Sequence, residues 1–334
     1  MNRQKANFQL KTNEGVTNTA NNNCTWNVDI SKVLGELWDK YDYFNLTLKC
    51  IAWDILPAGV NNGSQTNQLN SYFMRGLQWE NCNYDTRLNL IEDKSCIGTV
   101  YIRTPTLGAA ASYNYYNPIN VINTFRKSRP VVDLNISVIN ILNNTPGLLG
   151  TAGSQAFPHT IYDFSITPCQ DYSETTALLT LYEPVLTNNG STQTFKDINF
   201  ELALGQLYKQ YTTFSLELVD LQSAPFATLV VNSNSICPNI ELLGLQPIDK
   251  SNNNSIILNS CYLDTNAGRG YIQYNSTNNF LLYVDEVDSH SVVKLNAKND
   301  LVINFKSIET KNLITITSGS IRKCVFQLLI KPIK

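Results

Sequence analysis

The chain has 334 residues, 43% of them hydrophobic and 16% charged, with a formal net charge of -2. That length leaves room for two domains with a core each, and a near-neutral balance without charge runs excludes a basic face for gripping nucleic acid or an anionic membrane. No run approaches the roughly 18 consecutive apolar residues of a membrane span, and no N-terminal apolar segment resembles a signal peptide.

Asparagine is in excess, in runs such as Asn21 to Asn23 and Asn252 to Asn254 that sit between apolar stretches, where Asn tolerates turn geometry. From Ile30 onward, Val33, Leu34, Leu37, Trp38 and Tyr41 recur at the i, i+3, i+4, i+7 spacing of one helical face, with Asp29 or Ser31 as its cap. The period then drops to two at Phe44, Leu46 and Leu48, while Asn45, Thr47 and Lys49 point the other way. A short helix therefore feeds a half-buried strand. Short apolar runs follow at Tyr72 to Trp79, Thr99 to Thr104, Ile119 to Asn123 and Val131 to Ile141. Between them the tyrosine cluster SYNYYNP, Ser112 to Pro118, suits wet protein contacts or sugar stacking, or equally a strand-edge loop that packs locally. Asn143 to Thr160 is rich in small residues and reads as a link.

The second half says much of this again. Shifted by 170 places, Leu34, Gly35, Leu37, Tyr41, Phe44, Leu46 and Leu48 fall on Leu204, Gly205, Leu207, Tyr211, Phe214, Leu216 and Leu218, and Trp38 falls on Tyr208. Gly76, Leu77 and Gln78 recur as Gly244, Leu245 and Gln246 at offset 168. Leu88 and Asn89 answer Leu258 and Asn259, and Gly98, Tyr101 and Ile102 answer Gly268, Tyr271 and Ile272, all at 170. Towards the ends, Ile119 to Asn123 matches Asp300 to Asn304 at offset 181, and Asp133 to Ile141 matches Val325 to Ile333 more loosely. The pattern reads as an internal duplication, with units at 1–147 and 165–334 joined by a linker at 148–164. The shared glycines are expected at equivalent backbone positions that need a positive φ or a close backbone approach.

Most other apolar runs are short, β-branched or aromatic, and bounded by Asn, Gly, Pro or Ser. Seven or eight such strands per unit with one helix indicate an antiparallel sandwich. The expected fold class is all-β: two tandem eight-stranded antiparallel jelly rolls, a double jelly roll, with short helices.

Candidate chemistry is sparse. The two histidines, His159 in the link and His290 in a polar turn, cannot supply the clustered His and carboxylate of a metal site, and nothing around either marks a catalytic base. Asn266 to Tyr271, NAGRGY, fits no phosphate-loop pattern and reads as a turn. Asp285, Glu286 and Asp288 offer oxygen ligands for a hard cation, but their spacing is that of a solvated turn. Cys24, Cys50, Cys82, Cys96, Cys169, Cys237, Cys261 and Cys324 lack zinc spacing, and none falls on another at the repeat offset. They read as reduced, mostly buried thiols. The glycosylation triplets at Asn45, Asn62, Asn135 and Asn275 are expected from composition and are discounted. No catalytic, cofactor-binding or metal-binding residue is assigned. The aromatics that the halves share are expected in the core.

Two similar jelly rolls in one chain, a short helix beside an early strand and Asn-rich loops resemble the double jelly-roll capsid proteins of large double-stranded DNA viruses and their relatives. The resemblance is architectural, spans nearly the whole chain and rests on no diagnostic motif. It implies two rolls side by side and three chains in a pseudo-hexagonal block that tiles a shell. It implies no catalytic residue and no cofactor. The partners it implies are other copies, as a trimer, and other capsid proteins, in a virion assembled in the host cytoplasm, with no sequence-specific nucleic acid. The chain has little room for the long loops that build an outer tower, which points to a minor or vertex-associated shell protein or the shell protein of a smaller virus. The alternatives are a tandem lectin-like carbohydrate-binding sandwich and a carboxylate-based glycan hydrolase; the lack of a signal peptide weighs against both.

Overall fold

A computed structural model describes residues 4–18, 23–54, 68–79, 84–85, 94–102, 113–116, 118, 121–140, 160–183, 192–224, 238–248, 255–260, 271–275, 280–284, 291–307, 312–313 and 323–334. The chain divides into two compact units, Met1–Cys82 with Ile91–Thr176, and Asn83–Leu90 with Ala177–Lys334.

The first unit is built on eight strands: β1 (Ala6–Lys11), β2 (Asn23–Asp29), β3 (Tyr43–Asp54), β4 (Gln68–Arg75), β5 (Lys94–Ile102), β6 (Asn123–Arg126), β7 (Val131–Asn140) and β8 (Thr160–Cys169). One sheet runs β1-β8-β3-β6 and continues to Gln78–Trp79; the other runs β2-β7-β4-β5, with Val16–Asn18 outside β2. The second unit repeats this with β9 (Ala177–Glu183), β10 (Thr192–Asn199), β11 (Phe214–Ala224), β12 (Pro238–Leu243), β13 (Ser255–Ser260), β14 (Ser291–Lys294), β15 (Lys298–Ser307) and β16 (Lys323–Pro332). Its sheets run β9-β16-β11-β14 and β10-β15-β12-β13. Counted within each unit, both pairs of sheets read 1-8-3-6 and 2-7-4-5. That is the winding of a jelly roll, so the chain holds two of them.

Alternation along the strands decides what each roll buries. Phe44, Leu46 and Leu48 on β3 and Phe214, Leu216 and Leu218 on β11 point into their cores, none more than 2% exposed. Each such side chain contributes about 1.5–3 kcal/mol on burial. Opposite them lie Pro168, Ile166 and Phe164 in the first roll and Pro332, Ile330 and Leu328 in the second. The period-two pattern slips once. Asp163 pairs with Cys50 but Phe164 with Leu48, which leaves Lys49 as a bulge, and Val219 is left out in the same way between Leu218 and Asp220. A second bulge is also shared: Ile97 is skipped between β4 and β5, and Leu258 between β12 and β13. Each bulge adds local twist and changes which side chains face inward.

Between the second and third strands of each roll come two short helices rather than the single helix expected. They are α1 (Ile30–Leu34) and α2 (Glu36–Lys40), then α3 (Phe200–Leu204) and α4 (Gln206–Gln210). Asp29 caps α1 by accepting from the Lys32 amide at 3.1 Å, and Asn199 caps α3 by accepting from the Leu202 amide at 2.9 Å. Ser31 is no cap; its hydroxyl donates to the Asp29 carboxylate at 2.6 Å. That bond, with the Lys32 amide, holds the Asp29 carboxyl below its ordinary pKa. Gly35 (φ 54°) and Gly205 (φ 52°) break the helices at the same place, in a conformation that side chains disfavour. The break explains a miss: Leu37 stays buried, but Tyr41, expected in the core, is 39% exposed and Tyr211 is half-buried. Gly76 (φ 113°) and Gly244 (φ 100°) form the second expected pair; a Cβ there would lie 2.0 Å from the carbonyl oxygens of Asp133 and Asp300.

The unit limits differ from the expected ones. Thr160–Cys169, expected partly in the linker and partly in the second unit, is the eighth strand of the first roll, paired with both β1 and β3. Its counterpart is β16, so Val325 to Ile333 answers this strand and not Asp133 to Ile141. The match of Ile119–Asn123 to Asp300–Asn304 likewise sets a segment leading into the sixth strand against a seventh strand. Gly98 stands opposite Tyr72, and the residue opposite the equivalent Ile240 is Asn259, not Gly268. Loops of unequal length defeated a constant offset there.

The paired glycines give a test. Ala at Gly35 meets no atom within 4 Å and is expected to cost about 1 kcal/mol or more from backbone strain alone. Ala at Gly76 adds a backbone collision and is expected to cost clearly more; urea unfolding of the two variants checks the order.

Candidate functional site

The residues weighed for chemistry fall mostly outside the described part of the chain: His159, His290, Asp285, Glu286, Asp288, Asn266 to Gly270, Cys82, Cys237 and Cys261 all do. Cys324 lies on β16, with only its backbone described. Cys24, Cys96 and Cys169 are buried and Cys50 half-buried, all outside any disulfide. Burial pushes the Cys24 thiol up to about 11, far from the thiolate that a nucleophile needs. Among the described residues no three His, Cys, Asp or Glu side chains gather in a way that would hold a metal ion, and no helix is long and apolar enough to cross a membrane. The tyrosine cluster contributes the strand Tyr113–Tyr116, which pairs with the far end of β3 from Ile51 to Asp54.

Where polar side chains do converge, they tie strands together. On the outer face of the first roll, Asn45 of β3 and Thr124 of β6 stand opposite each other. Asn45 donates to the Glu174 carboxylate at 2.7 Å and accepts from the Thr124 hydroxyl at 2.7 Å, and Thr124 accepts from Thr175 at 2.6 Å. The backbone of Thr176 donates to Ile122 at 2.9 Å, while its hydroxyl accepts from the Ile122 amide at 2.8 Å. Next to this, Asn123 accepts from Ser95 and donates to the Cys96 carbonyl at 2.9 Å. The segment leaving β8 is thereby clamped over the sheet, and Asn45 is 3% exposed, too buried to take a glycan.

The second roll has a different set, on its other sheet. Lys306 and Asn304 of β15 donate to the Glu241 carboxylate at 2.8 and 3.0 Å, and Thr192 donates to Asn304 at 3.0 Å. Both carboxylates, Glu174 and Glu241, are thus held by amide or ammonium donors and not poised as an acid and base pair. Another polar pair recurs with its partner changed: Asn27 donates to Asp133 at 2.8 Å, and Lys196 to Asp300 at 2.6 Å. None of these networks was visible from sequence, since their members lie up to 129 positions apart.

Tyr162 is fully buried in the first core. The Tyr162 ring meets Trp26 edge-on at 5.9 Å and Tyr72 at 5.9 Å. Among the described residues its hydroxyl has no hydrogen-bond partner, and burial raises its pKa well above the usual value. In the second roll Phe326 takes this place and meets Phe195 edge-on at 6.1 Å. A hydroxyl that the other roll lacks, with nothing to bond, is a cost and not a catalytic acid.

No protein-family model matches the chain. No curated protein matches it in sequence. Among solved structures, it is similar to a chain described under the triple jelly roll fold and turret assembly in an archaeal virus, at 9% identity and TM-score 0.24, over 98% of this chain and 59% of that one. A chain of Sulfolobus Turreted Icosahedral Virus gives 9% identity and TM-score 0.23 over 94% and 58%. A chain of the T=3 Penaeus vannamei nodavirus gives 12% and 0.18 over 99% and 90%. This chain therefore spans less than two thirds of the length of the first two.

Two substitutions probe these interiors. Tyr162→Phe keeps the ring contact and removes the unbonded hydroxyl, so it is expected to leave stability unchanged or raise it by about 1 kcal/mol. Asn45→Ala removes the side chain that donates to Glu174 and accepts from Thr124 and is expected to cost about 1–3 kcal/mol. Thermal and urea unfolding of the purified variants read both signs.

Proposed function

We propose that the chain is a structural subunit of a virion shell, a double jelly-roll capsid protein that works by associating with copies of itself, as a trimer, and with neighbouring shell proteins. In this reading the two rolls descend from one duplicated unit, and the protein is a minor or vertex-associated component or the shell protein of a small virus. It encloses a genome without reading its sequence. It has no catalytic role.

The observation that carries the reading is what the two rolls share and what they do not. They share winding, both bulges, both glycine pairs, the helix caps and the ring contact across the core. They share no acid, base or thiol in a reactive arrangement among the described residues. A scaffold kept twice without chemistry kept twice suits a building block. Scarce charge fits too, since surfaces of Asn and Tyr form moderately polar interfaces more readily than surfaces of Lys and Glu.

Light scattering on the purified chain between low and high micromolar concentration tests this. The expected result is a mass that rises to a trimer or a larger assembly, through interfaces above roughly 1,000 Å². A single monomeric mass across the whole range contradicts it.

A further inference from the structure

The first strand of a jelly roll is the outer member of its sheet, and the second roll does not leave that edge open. Residues Tyr84–Asp85 run parallel to β9, with Tyr84 opposite Leu179 and Asp85 opposite Thr180. The first roll has an equivalent edge. Ala6 and Phe8 face Ile166 and Phe164 on β8 just as Ala177 and Leu179 face Ile330 and Leu328 on β16. Phe8 and Gln9 therefore stand where Leu179 and Thr180 stand. Among the described residues β1 pairs with β8 alone.

We infer that the outer edge of β1 is an acceptor site for an extended segment of a second copy of this chain, added in parallel beside Phe8 and Gln9. The inference rests on the self-association proposed above and names the surface that does it. Three features favour it. An unpaired edge presents a row of backbone donors and acceptors, a template for another strand. The devices that blunt such an edge are missing between Ala6 and Leu10: there is no charge, no proline, and the register with β8 runs without a bulge. Asn7 and Gln9 are exposed on the outer face, neutral amides that suit a polar rim. The choice of occupant comes from the chain itself, because its residues 84–85 already make this contact on the equivalent edge. A foreign protein would need a match that this chain already has.

Hydrogen exchange of the whole chain, read residue by residue in dilute and in concentrated solution, tests the site directly. In an antiparallel pair alternate amides point to the partner and the rest point away. The outward amides of Ala6 to Leu10 are expected to exchange at least tenfold more slowly in the concentrated, associated sample. Unchanged exchange in a sample whose scattering mass has risen overturns the edge site while leaving self-association standing. Absence of any rise in mass overturns both. Slowing only when a different protein is added, with none on self-association, also overturns it. Asn7→Pro and Phe8→Pro supply a second readout, since they remove amides of opposite direction. The one that keeps the wild-type melting temperature has lost an outward amide and is expected to associate at least tenfold more weakly; wild-type association by that folded variant contradicts the proposal.

Discussion

In each roll a contact between rings joins the second strand to the eighth. In the first, Trp26 on β2 meets Tyr162 on β8 edge-on at an interplanar angle of 79°; in the second, Phe195 on β10 meets Phe326 on β16 at 87°. The second and eighth strands lie in different sheets, so the contact spans the sandwich. Aromatic pairs in this geometry gain about 0.5–1.5 kcal/mol beyond the area they bury. The eighth strand reaches its position only by inserting between the first and third, which fixes the order of the whole sheet. The shared bulge at Lys49 and Val219 falls within a few residues of these rings. It changes the inward phase of the third strand so that Ile51 lies opposite Tyr162.

Around that frame the polar residues differ between the rolls. The first roll clamps its last segment through Asn45, Thr124 and Glu174; the second ties three strands through Glu241, Asn304 and Lys306. Asp133 and Asp300 keep their place but exchange an amide partner for an ammonium. Apolar packing sets the fold and recurs in both rolls, while the side-chain hydrogen bonds differ from one roll to the other. The same division explains the lack of a reactive cluster among the described residues: carboxylates occupy sites that hold strands in place.

What was legible in the sequence was local. The helix start at Asp29, the period-two run through Phe44, Leu46 and Leu48, and the glycine pairs depend on neighbours within a few positions, and the structure places each as expected. What was missed depends on distant partners. The strand Thr160–Cys169 follows a link rich in small residues, and only its pairing with β3, more than a hundred positions earlier, makes it part of the first roll. The connection from β4 to β5, Arg75 to Lys94, is longer than that from β12 to β13, Leu243 to Ser255, which a fixed offset cannot follow, so Gly98 was set against the wrong residue. Tyr41 fits a continuous helical face, but Gly35 ends that helix and leaves the ring exposed. The Asn45 network needed Glu174, which nothing near Asn45 in the sequence announces.

The central claim is that two chemically inert rolls make a building block. Electron microscopy of the purified chain tests it most directly. The account predicts closed particles or flat arrays built from blocks of three chains, each with pseudo-sixfold outline. A field of single, separate chains at every concentration and salt condition would contradict it.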